Sequence, residues 1–92
     1  MTLISTPRAT LSVVIPAYQS VHLARVLESA QKLDPDEIVV VDSSPDEPVI
    51  LDATVTLKRL PSRTWPAGAR NHGAESATSD FLLFVDSDVE LT

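Results

Sequence analysis

Phe81-Leu82-Leu83-Phe84-Val85-Asp86-Ser87-Asp88 sets five apolar residues directly ahead of two carboxylates one residue apart. The apolar run has strand length, is rich in aromatic and branched side chains, and does not alternate. Such a run suits a strand buried on both faces, as in a parallel sheet covered by helices. Successive strand residues point to opposite faces, so Asp86 and Asp88 fall on one side if the strand continues through them. Two carboxylates side by side repel each other, and a cation between or beside them relieves that repulsion. A hard divalent ion of the Mg²⁺ type takes one or two protein carboxylates plus substrate phosphates. Spacing alone leaves a second reading open, a solvated turn at a strand end.

Upstream of this stretch the elements alternate. Leu11-Ser12-Val13-Val14-Ile15 reads as a first strand ended by Pro16, which cannot donate to a central ladder. Ser20 is placed to cap a helix. Leu23, Val26, Leu27, Ala30 and Leu33 then recur at helical spacing, with Arg25, Glu28 and Lys32 on the other face. That helix stops before Asp34-Pro35, because the residue before proline is driven out of the α region. Glu37-Ile38-Val39-Val40-Val41-Asp42 is a second buried strand, again ending in aspartate. Val49-Ile50-Leu51 is too short to assign. Thr54 to Leu60 alternates and reads as a half-exposed strand towards an edge. Pro66 suits the first position of a second helix, on which Ala69, Gly73 and Ala77 form a stripe of small residues that lets it lie close to the sheet.

This order predicts an α/β fold, a parallel sheet of about four strands with right-handed crossovers and helices packed on it. Ligands of such sheets bind outside the carboxyl ends of the strands. Tyr18, Asp42, Arg70, Asn71, Asp86 and Asp88 converge on that one mouth, which favours a site over a solvated turn.

Composition narrows the chemistry. The chain has 92 residues, 43% of them hydrophobic, no cysteine and a formal net charge of −6. One globular domain is expected, without disulfides, thiolate metal sites or a cysteine nucleophile. A chain this acidic repels polyanions, which argues against a nucleic-acid partner. The first ten residues lack the apolar core of a signal peptide, and no run reaches membrane-spanning length, so a soluble, cytoplasmic protein is expected. There is no Gly-x-Gly-x-x-Gly, no P-loop and no Gly-x-Ser-x-Gly elbow. His22 and His72 stand alone and read as surface or packing residues, and Trp65 reads as a loop anchor.

Four motifs in order carry a resemblance: Val13-Val14-Ile15-Pro16-Ala17-Tyr18, Val39-Val40-Val41-Asp42-Ser43-Ser44, Ala69-Arg70-Asn71-His72-Gly73 and Phe84-Val85-Asp86-Ser87-Asp88. Together they resemble the family-2 glycosyltransferases, from Leu11 to near the end of the chain. The resemblance implies the Rossmann-like, nucleotide-sugar-binding half of a GT-A fold, with strand order 3-2-1-4, and an inverting transferase that uses Mn²⁺ or Mg²⁺. It implies that Pro16, Ala17 and Tyr18 line the base and ribose pocket and that Asp42 hydrogen-bonds the base. Arg70 would lie against the base, Asn71 would brace the loops, and Asp86 would contact the ribose. Asp88, with Asp86, would hold the metal against the diphosphate. The family has Asp-Asp-Gly-Ser where this chain has Asp42-Ser43-Ser44. Its acceptor site and general base lie beyond the metal motif, and no residue here matches them. Residues 1–10 therefore read as an arm, and residues 11–92 as the donor-binding part of a truncated GT-A domain. Two rival readings are a haloacid-dehalogenase-type phosphatase motif at Asp86-Ser87-Asp88-Val89, and a non-catalytic module that binds nucleotide or self-associates. In the implied strand order Phe81 to Val85 lies at an edge, where pairing with a second copy is expected.

Overall fold

The computed structural model describes residues 9–48, 50, 54–62 and 66–86. Its elements run β1 (Leu11–Ala17), α1 (Leu23–Gln31), β2 (Glu37–Asp42), β3 (Val55–Arg59), α2 (Pro66–Ser76) and β4 (Phe81–Phe84). The four strands form one sheet in the order β3-β2-β1-β4, and every pairing is parallel. The α/β architecture and the strand order match the sequence expectation.

Alternation along the central strands splits the core into two layers. Val13, Ile15 and Ala17 of β1, with Ile38 and Val40 of β2, pack with Leu23, Val26 and Ala30 of α1. Val14, Val39 and Val41 face the other way and pack with Ala69 of α2. Strands sandwiched in this manner are apolar on both faces, which is why β1 and β2 read as unbroken hydrophobic runs. The small-residue stripe on α2 has the expected role at Gly73. A Cβ there would overlap Val14 Cγ1 and sit 3.2 Å from Val41 Cγ2, so the helix rides directly on the two central strands.

Three local expectations need correction. β1 does not stop at Pro16 but runs through it to Ala17, with Pro16 opposite Val41. The reason lies in the direction of the backbone groups. Val14 O accepts the Val85 N–H (3.0 Å) on the β4 side, and alternation turns Pro16 to the same side, just past the end of the β1–β4 ladder at Val14 and Phe84. The missing N–H therefore leaves no gap in the ladder. α1 begins later than a Ser20 cap would place it: His22 occupies the N-cap position and makes no side-chain cap bond. Finally, the Phe81–Phe84 strand is not buried on both faces. All four of its residues are exposed, Phe81 by 62%, and only Val85 is buried. β4 is an outer strand, and the helices pack over β1 and β2.

At the opposite end of the sheet, Thr10 is tied to Asp80. The Thr10 N–H donates to Asp80 Oδ2 (3.0 Å), and the Asp80 N–H donates to Thr10 Oγ1 (2.9 Å). Thr10, expected in the arm, thus anchors β4 beside β1. Residues 1–8, and Val49 and Leu51 of the unassigned run, lie outside the described residues; Ile50 between them packs on the α1-side core.

Candidate active site

The parallel sheet brings the C-terminal ends of all four strands to one rim. Ala17 ends β1, Asp42 ends β2, Arg59 ends β3, and Val85-Asp86 follows β4. Between the ends of β1 and β2 a cavity of about 160 Å³ opens, walled by Ala17, Gln19, Leu23, Asp42, Ser44 and Asp46, with Ser20 also in its wall. Enclosure of a whole drug-sized ligand takes about 300–1,000 Å³. This cavity has room for one planar ring of a larger molecule.

Asp42 is the chemical centre of that wall. It is 1% exposed, and its carboxylate accepts from the Ser44 hydroxyl at Oδ1 (2.6 Å) and from the Ser44 N–H at Oδ2 (3.2 Å). Arg59 Nε pairs with Oδ2 at 2.9 Å, from a side chain that is 32% exposed. The Arg59 Nη2 group also donates to the Ser44 carbonyl (2.7 Å). The Ser44 hydroxyl in turn accepts the N–H of Gln19, a residue in left-handed backbone conformation with φ 48°. A buried carboxylate is tolerated only when its charge is paired and its oxygens are hydrogen-bonded. Asp42 meets both conditions, and the β1–α1 and β2–β3 loops are cross-linked through it.

Arg59 and Ser44 were not among the residues singled out from sequence. The Arg59 signal was in the register: in a parallel β2–β3 pair, Asp42 stands directly opposite Arg59. The signal for Ser44 was the Asp-x-Ser pattern, in which each short polar side chain bonds the backbone two residues away.

A second group lies at the end of β4. Arg70 Nη2 pairs with Asp86 Oδ1 at 3.2 Å, with both side chains well exposed (42% and 56%). Arg70 Nε is buried without a partner among the described residues. Buried donors are nearly always satisfied, so this nitrogen marks a place for an acceptor. Of the other expected residues, Pro16 is buried inside β1, Tyr18 is half-buried just after it, and Asn71 is exposed on α2. Ala17 and Asp42 share the cavity, and Arg70 meets Asp86. Asp88 lies outside the described residues, among which no cluster of three or more metal-ligating side chains occurs. No described helix is long and apolar enough to cross a membrane.

Comparison with known proteins identifies a family. Residues 12–92 match the family described as Glycosyl transferase family 2. An uncharacterized glycosyltransferase of Haemophilus influenzae is 32% identical over 85 residues, covering 85% of this chain and 29% of that protein. The chain therefore spans less than a third of that relative's length. The match runs along nearly the whole chain and is to a transferase family. The chain belongs to glycosyl transferase family 2.

Proposed function

We propose that residues 11–92 bind the nucleoside-diphosphate-sugar donor of an inverting glycosyl transfer. The observation that carries this reading is the buried Asp42 in the wall of a ring-sized cavity at the carboxyl edge of the sheet. The base enters the cavity between Ala17 and Leu23 on the apolar side and Asp42 and Ser44 on the polar side, with Pro16 shaping the floor and Tyr18 the ribose side. Arg70 and Asp86 take the ribose and diphosphate region, and Asn71 braces the neighbouring loops.

A divalent ion fits this chemistry. Asp86 offers hard carboxylate oxygen, only one of its two oxygens is engaged by Arg70, and a site of this type takes one or two carboxylates plus phosphates. Asp86 and Asp88 would hold Mn²⁺ or Mg²⁺. When bound, such an ion supplies Lewis-acid neutralisation of the charge gathering on the departing diphosphate. Arg70 adds a second positive charge with donors to spare. Transfer also requires a base beside the acceptor oxygen, and none of the residues at this mouth is assigned that role.

Calorimetric titration of the 92-residue chain with uridine and guanosine diphosphates, with Mn²⁺ and then with chelator, tests the proposal. Weak binding that depends on the metal is expected. Equal binding in both conditions removes the metal role of Asp86 and Asp88, and no binding in either overturns the reading.

A further inference from the structure

Arg59 occupies the buried carboxylate on which base recognition would rest. A carboxylate has roughly four acceptor positions. Among the described residues, Oδ2 of Asp42 accepts from Arg59 Nε and the Ser44 N–H, while Oδ1 accepts from the Ser44 hydroxyl. One position, on Oδ1, has no partner among the described residues and can take a ligand donor. The guanidinium is itself held by its second donor on the Ser44 carbonyl, which ties the end of β3 to the loop after β2. Removing Arg59 would free a position on Oδ2 and turn Asp42 into a two-oxygen edge.

We infer that Arg59 is a positioning residue that sets base specificity by restricting Asp42 to a single acceptor. This rests on the nucleotide reading given above. One acceptor suits a base that presents a single ring N–H between two carbonyls, the imide edge of uracil or thymine. Gln19, in the cavity wall, carries an amide whose N–H groups suit a flanking carbonyl. Guanine presents a ring N–H and an exocyclic amine side by side, which calls for two carboxylate oxygens at once. With Oδ2 occupied, one of those donors is desolvated without a partner, the situation in which polar sites discriminate most strongly.

The test compares uridine, thymidine, guanosine and cytidine diphosphates in calorimetric titrations with Mn²⁺, on the wild-type chain and on Arg59→Met and Arg59→Lys. Wild type is expected to favour the uridine and thymidine ligands over guanosine by about tenfold or more. Arg59→Met brings that ratio to within about threefold by gaining guanosine affinity relative to uridine, and Arg59→Lys, which keeps a donor on Oδ2, retains most of the preference. A residue that only stabilised the fold would weaken all ligands alike and leave the ratio unchanged. Should Arg59→Met not fold, the wild-type series still decides, since equal binding of the four bases or a guanosine preference overturns the inference. An unchanged ratio in a folded Arg59→Met also overturns it and leaves the donor-binding reading standing. Absence of binding by every nucleotide to wild type removes both.

Discussion

Asp42 ends β2 and Asp86 follows β4, and the two carboxylates live in opposite surroundings. Asp42 is buried, paired with Arg59 and bonded twice by Ser44. Asp86 is more than half exposed and, among the described residues, pairs with Arg70. The outer strands next to them differ in the same way. On β3 the polar side chains are anchored: Lys58 Nζ donates to Ser76 Oγ (3.0 Å) and Arg59 to Asp42. On β4 four consecutive apolar residues face solvent. One side of the rim is built before any ligand arrives. Among the described residues the other keeps an uncommitted carboxylate oxygen, a donor without a partner and exposed apolar surface. On the function proposed above, the contrast would separate recognition of a base, which gains from preorganised acceptors, from the grip on a diphosphate, which exposed charges can supply.

The largest effect should come from breaking the closed side. Arg59→Met leaves a buried carboxylate without its counter-charge and is expected to cost about 3 kcal/mol of folding stability, near the lower end for a broken buried pair because Arg59 is partly solvated. Arg70→Met, the matching change on the open side, should cost less than about 1 kcal/mol, since exposed pairs contribute little. Urea denaturation of both variants measures the difference. Equal losses would mean that burial does not separate the two carboxylates. Adding Asp42→Asn to Arg59→Met should restore much of the lost stability, because the stranded charge is gone.

A smaller effect is expected where α2 links the two sides. Gly73→Ala gains helix propensity of about 1 kcal/mol, but its methyl overlaps Val14 Cγ1 and crowds Val41 Cγ2. Overpacking of this kind typically costs about 1–3 kcal/mol, so a net destabilisation of about 1 kcal/mol follows by thermal melting. A more stable variant would show that α2 can lift off the sheet freely.

The closed side was more legible in the sequence than its chemistry. β2 was read with the bounds it has, Glu37–Asp42, because a β-branched run between turn residues leaves little choice. Asp42 was singled out correctly as a strand-end acid. Its partners were not, since Arg59 reaches it only through a register between strands separated by a loop, and local periodicity carries no such information. Pro16 misled for a related reason. Whether a strand tolerates proline depends on which neighbour its N–H would face, which is a property of the sheet. On the open side the apolar run alone suggests burial on both faces, while the edge position implied by the strand order points to the exposure that β4 shows. An apolar run reveals that a strand forms, while its exposure depends on what packs beside it. On α2 the small residues Ala69 and Gly73 made the close helix–sheet contact legible, and the structure shows it against Val14 and Val41.

The smallest change in folding stability, and the sharpest test of the open side, concerns β4. The Phe81 N–H donates to Thr10 O and the Val85 N–H to Val14 O, both towards β1. Alternation then turns the N–H and C=O groups of Leu82 and Phe84 to the outer edge. The antiparallel register that pairs both of these residues within β4 sets Leu82 opposite Phe84 of the second chain, which places Leu83 opposite its own copy on the two-fold axis. Such pairing covers four exposed apolar side chains, each worth about 1.5–3 kcal/mol when fully buried. The net charge of −6 opposes association, so added salt should strengthen the dimer by screening. Sedimentation of the purified chain is expected to show dimer at micromolar concentration. Leu83→Lys, which sets two like charges directly across the axis, should be monomeric while its melting behaviour moves by only about 0.5 kcal/mol. A wild-type chain that stays monomeric at high salt, or a Leu83→Lys chain that dimerises as well as wild type, would show that this edge does not pair with its copy.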